Sequence, residues 1–115
     1  FLLVSLASLC SGAAVRDLSP RSSTAHVGQA TYYYAAGLGA CGTTLVQGDN
    51  FVAVADSYYQ NFVTAGNPND CTLCGQEICI TNTASGATAK AIIRDRCGSC
   101  GINDLDLATV VFDAL

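Results

Sequence analysis

The sequence predicts a small, mainly β domain that closes, or nearly closes, into a barrel and is stapled by disulfides. Three observations carry this. Apolar residues fall into many short β-rich runs with few helical periods. Gly, Asn, Asp and Ser gather between those runs as turn formers. Cys41, Cys71, Cys74, Cys79, Cys97 and Cys100 follow the first apolar stretch, an even set in a chain of 115 residues, which has room for one domain.

Residues 1–14, FLLVSLASLCSGAA, are charge-free and apolar and end in small residues, the pattern of the hydrophobic region and cleavage zone of a secretory signal peptide. The run is shorter than the ~20 residues of a membrane-spanning helix. Residues 15–27, VRDLSPRSSTAHV, have no periodicity and read as a flexible leader, so the folded domain is expected over 28–115. QATYYY alternates as a strand, with Thr31 and Tyr33 on one face and Ala30, Tyr32 and Tyr34 on the other. AAGLGACGTT is a glycine-rich turning loop and NFVAVAD a second strand. Asp56 is placed to cap a short helix through SYYQNF, whose Tyr58, Tyr59 and Phe62 pack back on the barrel. TAGNPNDCTLCGQ reads as a loop. EICITN and TAKAIIRD form a hairpin that turns at Gly86 and delivers Asp95 at its end. DLATVVFDAL has Leu107, Val110, Val111 and Leu115 at helical spacing, so a short helix is expected directly after Asp106.

The cysteines suit an exported chain with three disulfides, whose pairing the spacing alone does not choose. CTLC and CGSC also have zinc-ribbon spacing. Oxidation during export, and the two cysteines that a four-cysteine zinc site would leave over, favour disulfides. No metal or other cofactor is expected. The net charge is −4 with only five basic residues, none in a run, which argues against a nucleic-acid partner. The lone His26 lies in the leader and is expected to be solvated, so a His-based triad inside the domain is excluded.

Taken in order, the motifs A-T-Y-Y after a glycine, A-C-G, C-G before a strand ending in T-N, a strand ending in D-x-C, and D-L-D-L before an apolar helix resemble one known fold family. It is the six-stranded double-psi β-barrel shared by barwin, the rare lipoprotein A-like proteins, the first domain of expansins and the one-domain fungal loosenins. The resemblance covers residues 28–115 and implies short peripheral helices around the barrel. It implies a Cys41–Cys74 pair, as in barwin, with Cys97–Cys100 and Cys71–Cys79 completing the set. It also implies a groove lined by Thr31, Tyr33, Asp95 and Asp106, with Asp106 at the position of the expansin and endoglucanase acid. Where full expansins often carry a Tyr two residues after the first Asp, Cys97 stands here.

Hydroxyls, carboxylates and an aromatic face suit a sugar chain. Hydrolysis by inversion needs a base opposite the acid. The related endoglucanases take that base from an Asp after the first strand, whereas no Asp or Glu occurs from Leu18 to Gly48. The expectation is therefore a secreted, monomeric, expansin-like protein that binds cell-wall polysaccharide (cellulose, chitin or a related glycan) and loosens it without hydrolysis, free of the membrane once its signal is removed. Two alternatives stand beside it: a secreted protease inhibitor or barwin-like defence protein acting through its loops, AAGLG or GNPND, and a lytic or hydrolytic enzyme using Asp106 and Asp95. For three groups a structural role competes with a ligand: Asp104 as a turn residue, Asp106 as a helix N-cap, and Asp95 as half of an ion pair with Arg94 or Arg96.

Overall fold

The computed structural model describes residues 26–35 and 37–115, together with the backbone of residues 2–7. The leader expected over 15–27 lies outside the described residues except for His26 and Val27, as does the later half of the expected signal peptide. The elements in chain order are β1 (Leu2–Ala7), β2 (His26–Tyr33), β3 (Phe51–Ala55), α1 (Asp56–Tyr59) with a 3-10 turn (Gln60–Phe62), β4 (Val63–Thr64), β5 (Asn67–Cys71), β6 (Glu77–Asn82), β7 (Thr88–Cys97), β8 (Leu105–Ala108) and α2 (Thr109–Asp113).

The molecule is mainly β, with one strongly curled sheet, two short helices and disulfides. Neighbouring strands run β1-β2-β8-β3-β7-β6, and β1 joins the two ends by pairing antiparallel with both β2 and β6. Without β1 the other five strands form an open, curled sheet. Two ladders are parallel, β2 with β8 and β3 with β7, whereas β3 with β8 and β6 with β7 are antiparallel. Parallel neighbours need long connections, and these carry the loop after β2 and the helical segment after β3.

FVAVA occupies the middle of the sheet between β7 and β8, and all five of its residues are buried. A continuous apolar run is what a strand covered on both faces requires. Ile80, Ala91, Ile93, Leu105 and Leu107 extend the core from the adjoining strands, and Tyr59 and Val111 close it from the helices. Of the aromatics assigned to packing, Tyr59 is fully buried, and Tyr58 and Phe62 pack against the core from its edge.

Several local expectations need correction. The GNPND stretch is not a loop: β4 and β5 form a hairpin whose turn is Ala65-Gly66, with φ of 53° and 73°. Positive φ at both central residues matches the turn twist that tight hairpins favour. The β5 arm is tied down where the Tyr59 hydroxyl donates to the Pro68 carbonyl and the Thr72 amide to that of Phe62. The helix after Asp106 starts later, because β8 keeps pairing with β2 through Ala108; Ala108 is the N-cap, without a side-chain bond, so Asp106 caps nothing. His26 is not solvated linker. It opens β2, its Nδ1 lies 3.1 Å from Asn103 Oδ1, and its ring meets the edge of Tyr58.

Disulfides join Cys41 to Cys74 and Cys97 to Cys100. Cys79 is also disulfide-bonded. Cys71 carries a free, buried thiol directed at the Tyr59 carbonyl, so the expected Cys71–Cys79 bridge does not form. Cys71 ends the separate β4–β5 hairpin, whereas Cys79 lies within the main sheet. The Cys41–Cys74 link spans 33 residues and should stabilise by about 3–4 kcal/mol in the chain-entropy account. Such cross-links fit an oxidising, extracellular setting. Among the described residues no helix is long and apolar enough to cross a membrane.

Left-handed backbone at Ala65 disfavours an L side chain by about 1–2 kcal/mol. Ala65→Gly is therefore expected to raise unfolding stability by about 0.5–1 kcal/mol after allowing for the freer unfolded chain. Urea titration checks this, and an unchanged or lower midpoint would contradict the strain.

Candidate functional site

The four residues expected to line a groove do come together. Thr31 of β2 is paired in register with Asp106 of β8, Asp106 with Ala53 of β3, and Ala53 with Asp95 of β7. Thr31, Asp106 and Asp95 thus form one row across the sheet, with the two acids two strands apart, about 10 Å by ordinary strand spacing. Thr31 Oγ1 donates to Asp106 at 2.8 Å, and the Tyr33 hydroxyl donates to Asp95 at 3.1 Å.

Electrostatics tie the row together. Partial burial raises the Asp106 carboxyl above the usual carboxylate range; the Thr31 hydrogen bond opposes this and the Asp95 charge adds to it. The Tyr33 phenol is raised well above its ordinary value by burial and by both carboxylates. It therefore stays a donor, which is the form Asp95 needs. Arg96 pairs with Asp56 at 3.2 Å and not with Asp95, so the ion-pair role considered for Asp95 passes to another acid. Asp104 accepts from the Gln29 amide at 2.8 Å and the Gly101 amide at 3.1 Å, which makes it the organiser of the turn before β8. Gly28 lies so close to that turn that a Cβ there would fall 2.1 Å from the Asn103 carbonyl oxygen.

Asp95 has a second partner that the sequence did not disclose. Its other oxygen accepts from the Ala40 amide at 2.8 Å, so one carboxylate fastens β2 and the loop between β2 and β3 to β7. The same loop is held at many further points. The Cys41 amide donates to the Arg94 carbonyl, and the Cys41–Cys74 bridge crosses beneath. Leu38 pairs with Thr44, the Leu45 amide donates to the Gly37 carbonyl, and Gly39 and Thr43 are joined likewise. Leu45 is buried as a plug into the core. Gly39 is needed at its position, since a Cβ would stand 2.6 Å from the Arg94 carbonyl oxygen. Gln47 bonds both the Ala35 amide and Thr109 of α2.

The result is an exposed loop over residues 37–48, bonded to the body of the protein at several points and presenting Leu38 and Val46 outward. The available signal in the sequence was the single large apolar residue between two glycines in GLG. Among the described residues no cluster of three or more His, Cys, Asp or Glu side chains is placed to hold a metal ion.

Removing the clasp, Asp95→Ala, strands the Tyr33 hydroxyl and the Ala40 amide and is expected to destabilise by about 1–3 kcal/mol. Hydrogen exchange at Ala40 should accelerate more than global unfolding explains, and equal protection in both proteins would count against the clasp. Asp106 binds its proton more tightly folded than unfolded. Its contribution therefore favours folding at acid pH and is lost as pH rises from the ordinary carboxylate range through the raised folded value. Asp106→Asn is expected to gain stability over the parent at neutral pH and to lose that advantage in acid, as read from urea midpoints at both.

No protein-family model matches the chain. A papain inhibitor of Streptomyces mobaraensis is 33% identical over 89 residues, which cover 76% of this chain and 59% of the relative, so the chain spans about three fifths of that protein's length. A solved structure of the Streptomyces papain inhibitor superposes with a TM-score of 0.63 at 32% identity, covering 75% of this chain and 74% of the other. The likeness to expansins, loosenins and rare lipoprotein A-like proteins is thereby corrected. Of the motifs that carried it, the glycine before A-T-Y-Y permits a close backbone approach and D-x-C supplies the Asp95 clasp, both structural tasks. The chain belongs to the family of the Streptomyces papain inhibitor.

Proposed function

We propose that this chain is a secreted inhibitor of a papain-type cysteine protease, acting by occlusion through its loops. The observation that carries the reading is its kinship with the papain inhibitors, at 33% and 32% identity. A protease thus takes the place of the cell-wall polysaccharide expected as partner. The geometry supports the same reading. An inhibitor needs a surface ordered before binding, because ordering it afterwards subtracts from affinity. Here Asp95, Gly39 and the Cys41–Cys74 bridge order such a surface.

Thr31, Tyr33, Asp95 and Asp106 serve in this reading as the frame beneath the loop. The apolar run 1–14 acts as the export signal and 15–27 as leader to the domain at 28–115, a division supported by composition. Cleavage of that signal would remove β1 and leave β2 and β6 as sheet edges. The two parallel ladders support a double-psi path for the strand crossovers.

The test is a titration of active papain with the oxidised, secreted protein, scored by hydrolysis of a small peptide substrate. Dose-dependent inhibition is expected, retained in Asp106→Asn within about twofold, because that side chain lies in the frame and not on the presented loop. Absence of inhibition at a large molar excess over papain would overturn the proposal.

A further inference from the structure

The turns that project from the barrel differ in what they offer a partner. The hairpin tip Thr64-Ala65-Gly66-Asn67 and the β6–β7 turn Thr83-Ala84-Ser85-Gly86 hold no large apolar side chain. Loop 37–48 holds two in the open, Leu38 at 68% exposure and Val46 at 52%. Isolated exposed apolar residues are common and by themselves signify little. Leu38 differs because its backbone is pinned, by its own pairing with Thr44 and by the Gly37–Leu45 hydrogen bond. The surrounding chain is also neutral: from Gly28 to Gly48 there is no charged side chain.

We propose that loop 37–48 enters the substrate cleft of the papain-type protease with Leu38 as its apolar anchor and Val46, on the returning arm, as a second contact; this rests on the inhibitor reading above. A protease cleft takes a peptide by its backbone and by side chains seated in pockets. A neutral loop with one protruding Leu offers both features without placing a charge in the cleft. Because the loop is already ordered, the burial of Leu38 contributes to affinity with little loss to immobilisation. Residues next to such an anchor chiefly exclude water, the role expected of Val46.

Ile102 supplies the internal control, being 55% exposed on the turn before β8, outside this loop. The experiment measures Ki for papain against a small peptide substrate with the parent protein, Leu38→Asp, Leu38→Ala, Val46→Asp and Ile102→Asp, each checked for native near-UV circular dichroism. Inhibition by the parent is expected to be competitive. Leu38→Asp is expected to raise Ki at least ~30-fold, the two milder changes by less, and Ile102→Asp by no more than ~2-fold. If natively folded Leu38→Asp inhibits like the parent, or if Ile102→Asp abolishes inhibition, the loop assignment is overturned while the inhibitor reading survives. A parent protein that does not inhibit papain overturns the reading itself, and with it this proposal.

Discussion

One carboxylate holds the exposed loop of this protein, residues 37–48, on the sheet. Asp95 sits near the end of β7, half-buried, and divides its two oxygens between the Tyr33 hydroxyl and the Ala40 amide. Neither partner is near it in sequence, at separations of 62 and 55 residues. The bond to Tyr33 spans from β7 to β2, over β3 and β8, and the bond to Ala40 seats the loop on the rim. Hydrogen bonds to an ionised acceptor are stronger than neutral ones, and leaving either donor unmet in a half-buried place would be unfavourable. The upward shift of the Tyr33 phenol keeps its proton on the oxygen that must donate.

Around this clasp the loop is secured from below by chemistry of other kinds. Tyr59 is buried at its foot, its hydroxyl donating to Pro68 and lying 3.3 Å from the Cys74 sulfur. Burial and the neighbouring Cys71 push the Tyr59 phenol up to about 12, so it too remains a donor across the physiological range. A covalent bridge at Cys41, a buried Leu45 plug and an Asp95 hydrogen bond to Ala40 act on one six-residue segment, 40–45. A domain this small buries a limited core, and local cross-links of that kind compensate where a larger protein would rely on packing.

The residues of this clasp also carried the resemblance to glycan-binding barrels that the comparison with the papain inhibitors corrects. An Asp at the end of a strand, a Thr and a Tyr on its neighbour and a second Asp beyond them satisfy the composition of a sugar site. In this molecule the four side chains are engaged with one another and with a loop amide. A residue list describes chemical capacity; hydrogen-bond partners decide how that capacity is used, and the partner that mattered here was a backbone amide invisible to any side-chain motif.

Elements whose periodicity is local were legible in the chain. The buried FVAVA strand, the hairpin turning at Gly86, the short helix carrying Tyr59 and the mainly β, disulfide-linked class all followed from alternation, turn chemistry and cysteine number, because each depends on residues a few positions apart. The rest came from long-range contacts in the folded molecule. The fold left Cys71 a thiol by holding it in the β4–β5 hairpin, apart from the main sheet that carries Cys79. It carried β8 on to Ala108 through the β2 ladder and gave Asp95 the Tyr33 hydroxyl and the Ala40 amide as partners. Those outcomes rest on contacts between residues far apart in the chain, whose meeting is set by how the sheet curls and not by the pattern of any one segment.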